Sequence, residues 1–359
     1  MEVLDYLEFN LIKGIGLKTK NKLLEIYSSP FNIFSLSFEE LEKTFNKQIA
    51  NLILNRDKNL RKQAERELLQ AEKKGIKLIH INQEAYPKLL KEIPEKPILL
   101  YTKGNIELLN HPSIAIVGSR KHSSYGRATT QKFASELAED GLNIVSGLAL
   151  GMDSIAHKSA LNSNGLTTAV LGNGIDIIYP YENKRLYQEI EEKGCIISEY
   201  PLGFQPSKWT FPQRNRLIAG LSYGVIISEA SEKSGALITA KYAIEYNRLV
   251  FSIPANINNP FAKGNNELLK AGAFPLTEKE DIYRELPFLK NKISLTSEKV
   301  DLLPEEKQLI DLLTSPKHID ELVELLNIDF ENLMELLITL ELKDIITNEN
   351  GIVSLKRMV

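Results

Sequence analysis

The sequence contains one cysteine, Cys195, and no long apolar run. A single cysteine excludes an internal disulfide framework and disfavours a thiolate metal site. The five histidines show no pair at metal-ligand spacing. No apolar run reaches the roughly 18 residues that a membrane span needs, and the N-terminus lacks the basic region of a signal peptide. These absences predict a cytoplasmic protein with no metal site and no membrane partner.

Several nucleotide-binding and nucleophile motifs are also missing. No G-x-G-x-x-G follows the first predicted strand of the central region, and no acidic residue ends the second, which disfavours a dinucleotide cofactor. The P-loop pattern does not occur. The segment GLSYG (220–224) has the spacing G-x-S-x-G, but it precedes the predicted strand 224–228, whereas a nucleophile elbow follows a strand and opens a helix. We therefore expect no cofactor and no catalytic nucleophile of these types, and we predict that the protein is not an enzyme.

The excess of acidic over basic residues is small, but the two kinds of charge are unevenly distributed along the chain. The net charge of −3 excludes a globally basic nucleic-acid binder. Residues 1–110 carry a net charge of +3, residues 111–299 carry +2, and residues 300–359 carry −8. An anion-binding site is therefore expected within the first three hundred residues or so.

The chain length of 359 residues suggests two or three domains. Residues 1–75 show helical spacing and are predicted to form a small domain of the sterile-alpha-motif or helix-hairpin-helix kind. Within it, Gly14 and Gly16 could form a hairpin whose N–H groups approach phosphate, or a tight turn between two helices. Residues 76–285 are predicted to form the core with its lead-in segment, 286–303 a linker, and 304–359 a winged-helix-like domain. The last of these is expected to end in a short hairpin, IITNENGIVSL, that turns at Asn350-Gly351.

Short apolar runs alternate with helical stretches in the core. One such helix is predicted near residues 124–140, and Gly141 is expected to end it. The runs are SIAIV (113–117), LNIVS (142–146), TTAVL (167–171), CIIS (195–198), GVIIS (224–228) and LVFSI (249–253). Runs that are apolar on both faces and separated by helices indicate parallel strands buried on both sides. The predicted fold class is α/β, with a doubly wound, Rossmann-like parallel sheet.

Small or turn-forming residues follow each predicted strand. The first strand runs into Gly118, Ser119 and Arg120, and the second ends in Ser146 and Gly147. In an open α/β sheet the carboxyl ends of the strands form the ligand crevice, where glycine lets a phosphate approach the backbone. The pattern predicts an anion-binding edge.

Two stretches without carboxylates strengthen this prediction. The first lies between Glu107 and Glu136, and the second, between Glu199 and Glu229, contains Lys208, Arg214 and Arg216. Aromatic residues accompany the second group: Tyr200, Trp209, Phe211 and Tyr223. Arginine suits phosphates and aromatic faces suit unstacked bases, which favours single-stranded nucleic acid; a solvated basic face is the alternative.

Asp153 and His157 are four residues apart, so they share one face of a predicted helix. Such a pair could perform acid–base chemistry. The structural interpretation is favoured, because Asp153 stands near the helix start, where the helix dipole stabilises a carboxylate.

Six segments, in this order, resemble the DNA processing protein A family, also called DprA or Smf. They are SIAIVGSR, SGLALGMDSIAHKSAL, AVLGNGIDIIYPYENKRL, ISEYPLG, FPQRNRLIAGLS and SEASEKSGALITAKYAIEYNRLVFSIP. The resemblance is strong over about residues 100–275 and looser at both ends. Two positions depart from the family pattern: Pro254-Ala255 replaces the usual Pro-Gly, and Tyr181 stands where relatives often carry a basic residue.

The resemblance implies a core that binds single-stranded DNA, forms a homodimer and loads the RecA recombinase during natural transformation. It implies a nucleic-acid site made of Gly118, Ser119, Arg120, Ser146, Gly147, Lys184, Arg214, Asn215 and Arg216. The basic stretch without carboxylates adds Lys208 to the predicted site. The segment SGALITAKYAIEYNR and the strand after it would form the homodimer contact.

The enzyme alternative is a nucleotide-processing protein of similar fold, such as a phosphoribohydrolase. Those proteins carry Pro-Gly-Gly-x-Gly-Thr with a nearby glutamate, whereas this chain has the segment SGALIT at 234–239. A duplex-reading role for residues 304–359 is disfavoured by their acidity. Protein contact or regulation is the expected role of that region.

Overall fold

The structure is a computed structural model that describes residues 2–290, 292, 304–313, 316–326, 328–342, 346–349 and 351–355. The chain divides into two units, Met1–Ile293 and Ser294–Val359. This division is coarser than the predicted one, so the boundaries within each unit stay a prediction. Most of the predicted linker 286–303 lies outside the described residues.

Six helices form the N-terminal part of the first unit. They are α1 Glu2–Leu11, α2 Leu17–Tyr27, α3 Pro30–Phe34, α4 Phe38–Thr44, α5 Lys47–Leu54 and α6 Leu60–Lys73. Ser37 and Glu40 cap α4 reciprocally, and the Asn46 side chain accepts the Ile49 N–H at the start of α5. Gly14 adopts a φ of 85° between α1 and α2, a conformation that favours glycine.

A nine-stranded sheet forms the centre of this unit. Its strands are β1 Lys77–His80, β2 Leu99–Gly104, β3 Ser113–Val117, β4 Asn143–Ser146, β5 Thr167–Leu171, β6 Cys195–Ser198, β7 Gly224–Ile227, β8 Leu249–Ser252 and β9 Phe274–Pro275. The spatial order is β1-β2-β6-β5-β4-β3-β7-β8-β9. Neighbouring strands are parallel throughout the spatial run β6-β5-β4-β3-β7-β8-β9. Strands β1 and β2 add an antiparallel edge beside β6.

The six predicted strands are confirmed as β3 to β8, with ends that agree within one residue. Alternate residues of β3 belong to different cores: Ile114 and Ile116 to one, Ala115 and Val117 to the other. The sheet is therefore covered on both faces, which explains why its central strands are apolar throughout.

Seven helices follow the strands of the sheet: α7 Ser124–Glu139, α8 Met152–Asn162, α9 Lys184–Lys193, α10 Thr210–Gly220, α11 Ala236–Glu245, α12 Lys263–Lys270 and α13 Glu280–Glu285. Gly141 follows α7 with a φ of 90°, and the Leu142 N–H donates to Leu137 O at 3.0 Å. This arrangement confirms the predicted glycine end of that helix.

The N-terminal helices share the larger core with the sheet. Polar contacts reinforce the packing. The Tyr101 hydroxyl on β2 donates to the Glu67 carboxylate on α6, which also accepts the Leu202 N–H at 3.0 Å. The Lys74 ammonium lies 2.6 Å from the Asp176 carboxylate. These contacts position the loops that follow β5 and β6 against α6.

The second unit contains α14 Pro304–Leu312, β10 Lys317–His318, α15 Ile319–Leu326, α16 Phe330–Leu342, β11 Ile346–Glu349 and β12 Ile352–Leu355. Its three strands pair in the order β10-β12-β11. The predicted hairpin at the end of the chain is confirmed by the antiparallel pairing of β11 with β12, in which Gly351 has a φ of 82°. Asn350 lies outside the described residues. In the described part of the chain, no helix has the length and apolarity required to cross a bilayer.

Asn265 on α12 provides a stability test of the sheet edge. Its fully buried amide donates to Ile227 O at 2.8 Å and accepts the Ala230 N–H at 2.7 Å. Asn265→Ala leaves these groups unsatisfied, so we expect unfolding free energy to fall by about 3 kcal/mol in denaturant titration. Asn162→Ala, at an exposed position, is the control and should change stability by less than about 0.5 kcal/mol. Equal stabilities for the two variants would contradict the assigned role.

Candidate functional site

The strand order reverses beside β3. The chain builds the sheet outward from β3 through β4, β5 and β6, and then returns to place β7 on the other side of β3. Loops that leave β3 and β7 therefore diverge, and the gap between them forms a crevice at the carboxyl ends of the strands. The crevice has a volume of about 520 Å³ and adjoins a smaller cavity under the loops that follow β4 and β5.

The loop after β3 lines the crevice with Gly118, Ser119 and Arg120. A Cβ atom at Gly118 would lie 2.6 Å from Met152 Cγ and from Ser228 Oγ, so only glycine fits there without rearrangement. The Ser119 hydroxyl lies 3.1 Å from Ser234 Oγ and ties the loop to the chain after β7.

Arg214 on α10 contributes to the wall of both cavities. Its side chain is buried, and its guanidinium donates to Gly147 O at 2.6 Å and to Val170 O. A Cβ atom at Gly147 would lie 2.5 Å from the guanidinium carbon, so a residue without a side chain is required beside the arginine. Burial lowers the pKa of Arg214, the nearby Asp153 carboxylate opposes this shift, and Arg120 reinforces it.

Asp153 and His157 lie on α8 beneath Arg214. Burial raises the pKa of the Asp153 carboxyl, and this effect is opposed first by Arg214 and then by nearby backbone N–H groups. His157 is fully buried, and burial together with the Arg214 charge lowers its pKa to about 3. Its Nδ1 lies 2.7 Å from the Thr167 hydroxyl, which itself donates to Ile144 O. A neutral, enclosed imidazole supports the structural interpretation of this pair.

Arg216 does not line the crevice with Arg214. Its guanidinium pairs with the buried Glu199 carboxylate. Two residues along a helix correspond to a rotation of about 200°, so Arg214 and Arg216 face opposite sides of α10. The predicted set of three neighbouring residues is therefore divided: Arg214 and Asn215 line the crevice, and Arg216 belongs to an internal ion pair.

Ser146 is also internal. Its side chain is fully buried, and its hydroxyl donates to Ile116 O at 2.7 Å. The Asn215 amide, in contrast, is half-buried at the crevice and donates to Gly235 O at 3.2 Å. Ser146 thus links β4 to β3 in the sheet, while Asn215 links α10 to the start of α11.

Aromatic rings flank the two crevice arginines. The Arg120 guanidinium lies 5.8 Å from the centre of the Phe211 ring, which stacks on Tyr179 at 5.5 Å. Trp209 is 81% exposed and Tyr181 is 70% exposed, and each stands within two residues in the sequence of a residue that lines the smaller cavity, Phe211 and Pro180 respectively. Cationic and aromatic groups therefore meet at one edge.

Lys184 and Lys208 are both exposed and lie outside the residues that line the two cavities. Lys184 begins α9, and its ammonium lies 5.6 Å from the centre of the Tyr181 ring. Lys208 precedes the exposed Trp209 in the approach to α10. Both lysines therefore accompany the exposed aromatic residues rather than the buried arginine.

Many residues of the lining were not among the predicted site residues. Examples that carry a polar side-chain group are Lys121, Tyr179, Ser234 and Thr239. The available signal for Ser234 was the turn SEKSG, which follows the strand that lies beside β3. The sequence does not show which two strands flank the reversal of the strand order, so this turn could not be assigned to the crevice in advance.

The model of a family described as DNA recombination-mediator protein A matches residues 77–287 of this chain. The protein Smf of Synechocystis sp. is 40% identical over 275 residues, which make up 75% of this chain and 68% of that protein. The DNA processing protein DprA of Streptococcus pneumoniae is 45% identical over 208 residues, which make up 58% of this chain and 73% of that protein.

Two solved structures of relatives resemble the fold. DNA processing protein A of Streptococcus pneumoniae superposes with a TM-score of 0.60 at 37% identity, covering 76% of this chain and 98% of that chain. DNA processing protein A of Helicobacter pylori, described for its unique single-stranded DNA binding mode, gives a TM-score of 0.54 at 35% identity. That match covers 59% of this chain and 95% of the other.

The buried histidine generates a prediction about stability and pH. The pKa of His157 is about 3 in the folded protein, and a histidine in an unfolded chain titrates near about 6.5. Between these two pKa values only the unfolded chain binds a proton at residue 157. The neutral histidine therefore favours the folded state fully above about pH 6.5, and this contribution to the unfolding free energy is lost as the pH falls toward about 3. We expect His157→Gln to make unfolding free energy less dependent on pH between about pH 4 and about pH 6, by about 1 kcal/mol per pH unit. Denaturant titrations across this range test the slope, and parallel curves for variant and parent would contradict the assignment.

Proposed function

The chain belongs to the DNA recombination-mediator protein A family, and on that basis we propose that it binds single-stranded DNA at the crevice beside β3. One observation carries the proposal: Arg120 and Arg214 converge on the same crevice, next to the stacked rings of Phe211 and Tyr179. The described binding mode of the Helicobacter pylori relative supports the choice of ligand.

Arg120 is the group that contacts a phosphate. It is exposed and lies at the junction of the two cavities. Arg214 acts differently, because two backbone carbonyls already use part of its guanidinium. It supplies a fixed positive charge at the base of the site and holds the Gly147 loop. Gly118, Ser119 and Asn215 complete the wall near these arginines.

The aromatic side chains explain why the ligand is single-stranded. An unpaired strand can place its bases on Phe211, Tyr179 and Trp209, whereas the bases of a duplex are stacked on one another. Lys184 and Lys208 extend the positive surface beside these rings. Ser146 and Arg216 act indirectly, through the sheet and the ion pair with Glu199 that fixes α10.

Family membership extends the proposal to the cellular role. The protein protects incoming single-stranded DNA and loads the RecA recombinase during natural transformation, and it works in the cytoplasm. Its homodimer contact is formed by α11 and β8. The 63% exposure of Ile244 on α11 is consistent with such a contact.

The accessory regions have separate proposed identities. Residues 1–75 form a domain of the sterile-alpha-motif or helix-hairpin-helix kind, and residues 304–359 form a winged-helix-like domain. In the second, three helices accompany a small three-stranded sheet. Its acidic balance favours contact with protein or regulation over binding to a phosphate backbone.

A binding protein accounts for the crevice better than the phosphoribohydrolase alternative. Asp153 is the carboxylate among the described lining residues, and it is enclosed beside Arg214. Such a carboxylate is poorly placed to attack a nucleotide. Release of ribose phosphate by purified protein from nucleoside monophosphates would support the enzyme instead.

Removing the exposed arginine tests the site. Arg120→Ala should weaken binding of oligonucleotides of every base composition by about tenfold, because it removes a phosphate contact. The slope of log affinity against log salt should fall by about 0.7. Salt-titrated fluorescence anisotropy with single-stranded and duplex DNA measures both quantities.

Arg284→Ala is the matched control, since Arg284 is an exposed arginine on α13. Arg214→Ala should also weaken binding, but it is expected to lose stability as well, because Gly147 O and Val170 O lose a buried donor. Unchanged binding in both crevice variants would refute the proposed site.

Removing the acidic region tests its assignment. A chain without residues 304–359 should keep its affinity for single-stranded DNA within about twofold, since this region offers few cations to a phosphate backbone. Anisotropy titrations of the full and shortened chains give the comparison. A sharp loss of single-strand or duplex affinity would place DNA contacts in the deleted part.

A further inference from the structure

The crevice extends from Arg120, at its rim, toward the start of α11. This part, which we call the α11 recess, is lined by Ser119, Lys121, Asn215, Ser234, Gly235 and Thr239. Its lining is richer in hydroxyl and amide groups than in aromatic rings. The proposed stacking of bases on Phe211 and Tyr179 makes no use of these groups.

The N-terminus of α11 opens into the recess. The helix is ten residues long, no side chain caps it at Gly235, and its first turn has no acidic residue. A Cβ atom built at Gly235 meets nothing within 4 Å, so the space beside the helix start is open. The N–H groups of Ala236 and Leu237 donate to Ser234, so the helix contributes the positive end of its dipole to the recess, and this favours an anion.

A chain of hydroxyl groups leaves one donor available at this position. The Ser119 hydroxyl accepts the Ser231 N–H at 3.3 Å and donates to Ser234 Oγ at 3.1 Å. Ser234 Oγ also accepts the Ala236 N–H at 3.3 Å. With both of these contacts accepted by its oxygen, Ser234 retains its own proton for a further acceptor.

Thr239 provides a second and independent observation. The residue lines the recess, is 1% exposed, and its Oγ1 has no hydrogen-bond partner among the residues that the structure describes. A buried hydroxyl without a partner costs free energy. An acceptor bound in the recess would remove that cost.

The charge around the recess also favours an anion. Arg120 and Lys121 are exposed at its rim. The Asp153 carboxylate lies in the wall, but Arg214 and backbone N–H groups face it and offset its charge. The net charge of these four side chains is positive.

We propose that the α11 recess binds a phosphomonoester, the terminal phosphate of a nucleotide. A phosphomonoester carries about −1.5 to −2 charges and three terminal oxygens, against one charge and two free oxygens in a phosphodiester within a strand. The Ser234 and Thr239 hydroxyls match the larger number of oxygens, and the dipole at the helix N-terminus matches the larger charge. The phosphate belongs either to a free mononucleotide or to the end of a DNA strand. The strand-end source rests on the proposed binding of single-stranded DNA, and the free-nucleotide source does not.

Three matched pairs of ligands test the proposal and separate the sources: dTMP against thymidine, and an oligothymidylate with and without a 5′-phosphate or a 3′-phosphate. Calorimetry is used for the mononucleotides and competition anisotropy for the strands. We expect at least one phosphorylated member to bind about fivefold or more tightly than its partner. The pair that shows the difference identifies the source.

Thr239→Val is the decisive variant, because it replaces an unpartnered hydroxyl with a methyl group of similar shape. The preference for the phosphorylated ligand should fall below about twofold, while the protein without ligand should be as stable as the parent or more so. Thr129→Val on α7, outside the recess, is the control and should keep the preference. Ser234→Ala should also reduce the preference.

Equal binding within all three pairs would overturn the proposal, as would an unchanged preference in both recess variants. These outcomes are distinct from failure of the proposed function. If oligothymidylate does not bind at all, single-strand binding is refuted, while dTMP still tests the recess. If strands bind without regard to their ends and dTMP binds no better than thymidine, only the recess is refuted.

Discussion

The buried guanidinium of Arg214 is the constraint on which the rest of the site depends. It occupies the space that a side chain at residue 147 would need, and its bonds to Gly147 O and Val170 O fix the ends of β4 and β5 relative to α10. Burial and, after it, the charge of Arg214 lower the pKa of His157 and keep its imidazole neutral, and the same charge offsets the Asp153 carboxylate. A buried cation is costly unless such partners surround it, so these neighbouring residues form one interdependent unit.

The sheet determines where this unit can serve a ligand. Loops diverge only where the strand order reverses, which here is between β3 and β7. Arg120 approaches the gap from the β3 side, and Ser234 approaches it from the β7 side. The Ser119–Ser234 contact joins the two loops across the gap, so the crevice is built by the topology and fixed by local hydrogen bonds.

The sequence predicted the central strands because burial on both faces makes them continuously apolar, and it predicted the Gly141 helix end from local chemistry. It did not predict that β1 and β2 join the same sheet, since antiparallel edge pairing is a long-range contact without a local signal. Arg214 and Arg216 looked equivalent in a basic stretch, although the helical period turns them to opposite sides. Ser146 looked like a donor at a strand end, but its hydroxyl is used within the sheet. Whether such a residue faces the crevice or the interior depends on the direction of its side chain and on its hydrogen-bond partner, and neither can be read from composition.

The crevice offers two kinds of contact, aromatic ring faces and hydrogen-bond donors, which suit different parts of a ligand. Phe211 and Tyr179 offer ring faces beside the exposed Arg120 guanidinium, an arrangement that accepts any base. The start of α11, with Ser234 and the unpartnered Thr239 hydroxyl, offers directional donors without a ring. Arg120 lines both cavities and therefore stands between the two chemistries. A nucleotide has an aromatic base at one end and a phosphate at the other. It can therefore contact the rings and the start of α11 together only when it lies in one orientation along the crevice. For the single-stranded ligand that we propose, this arrangement favours binding in one direction over free sliding.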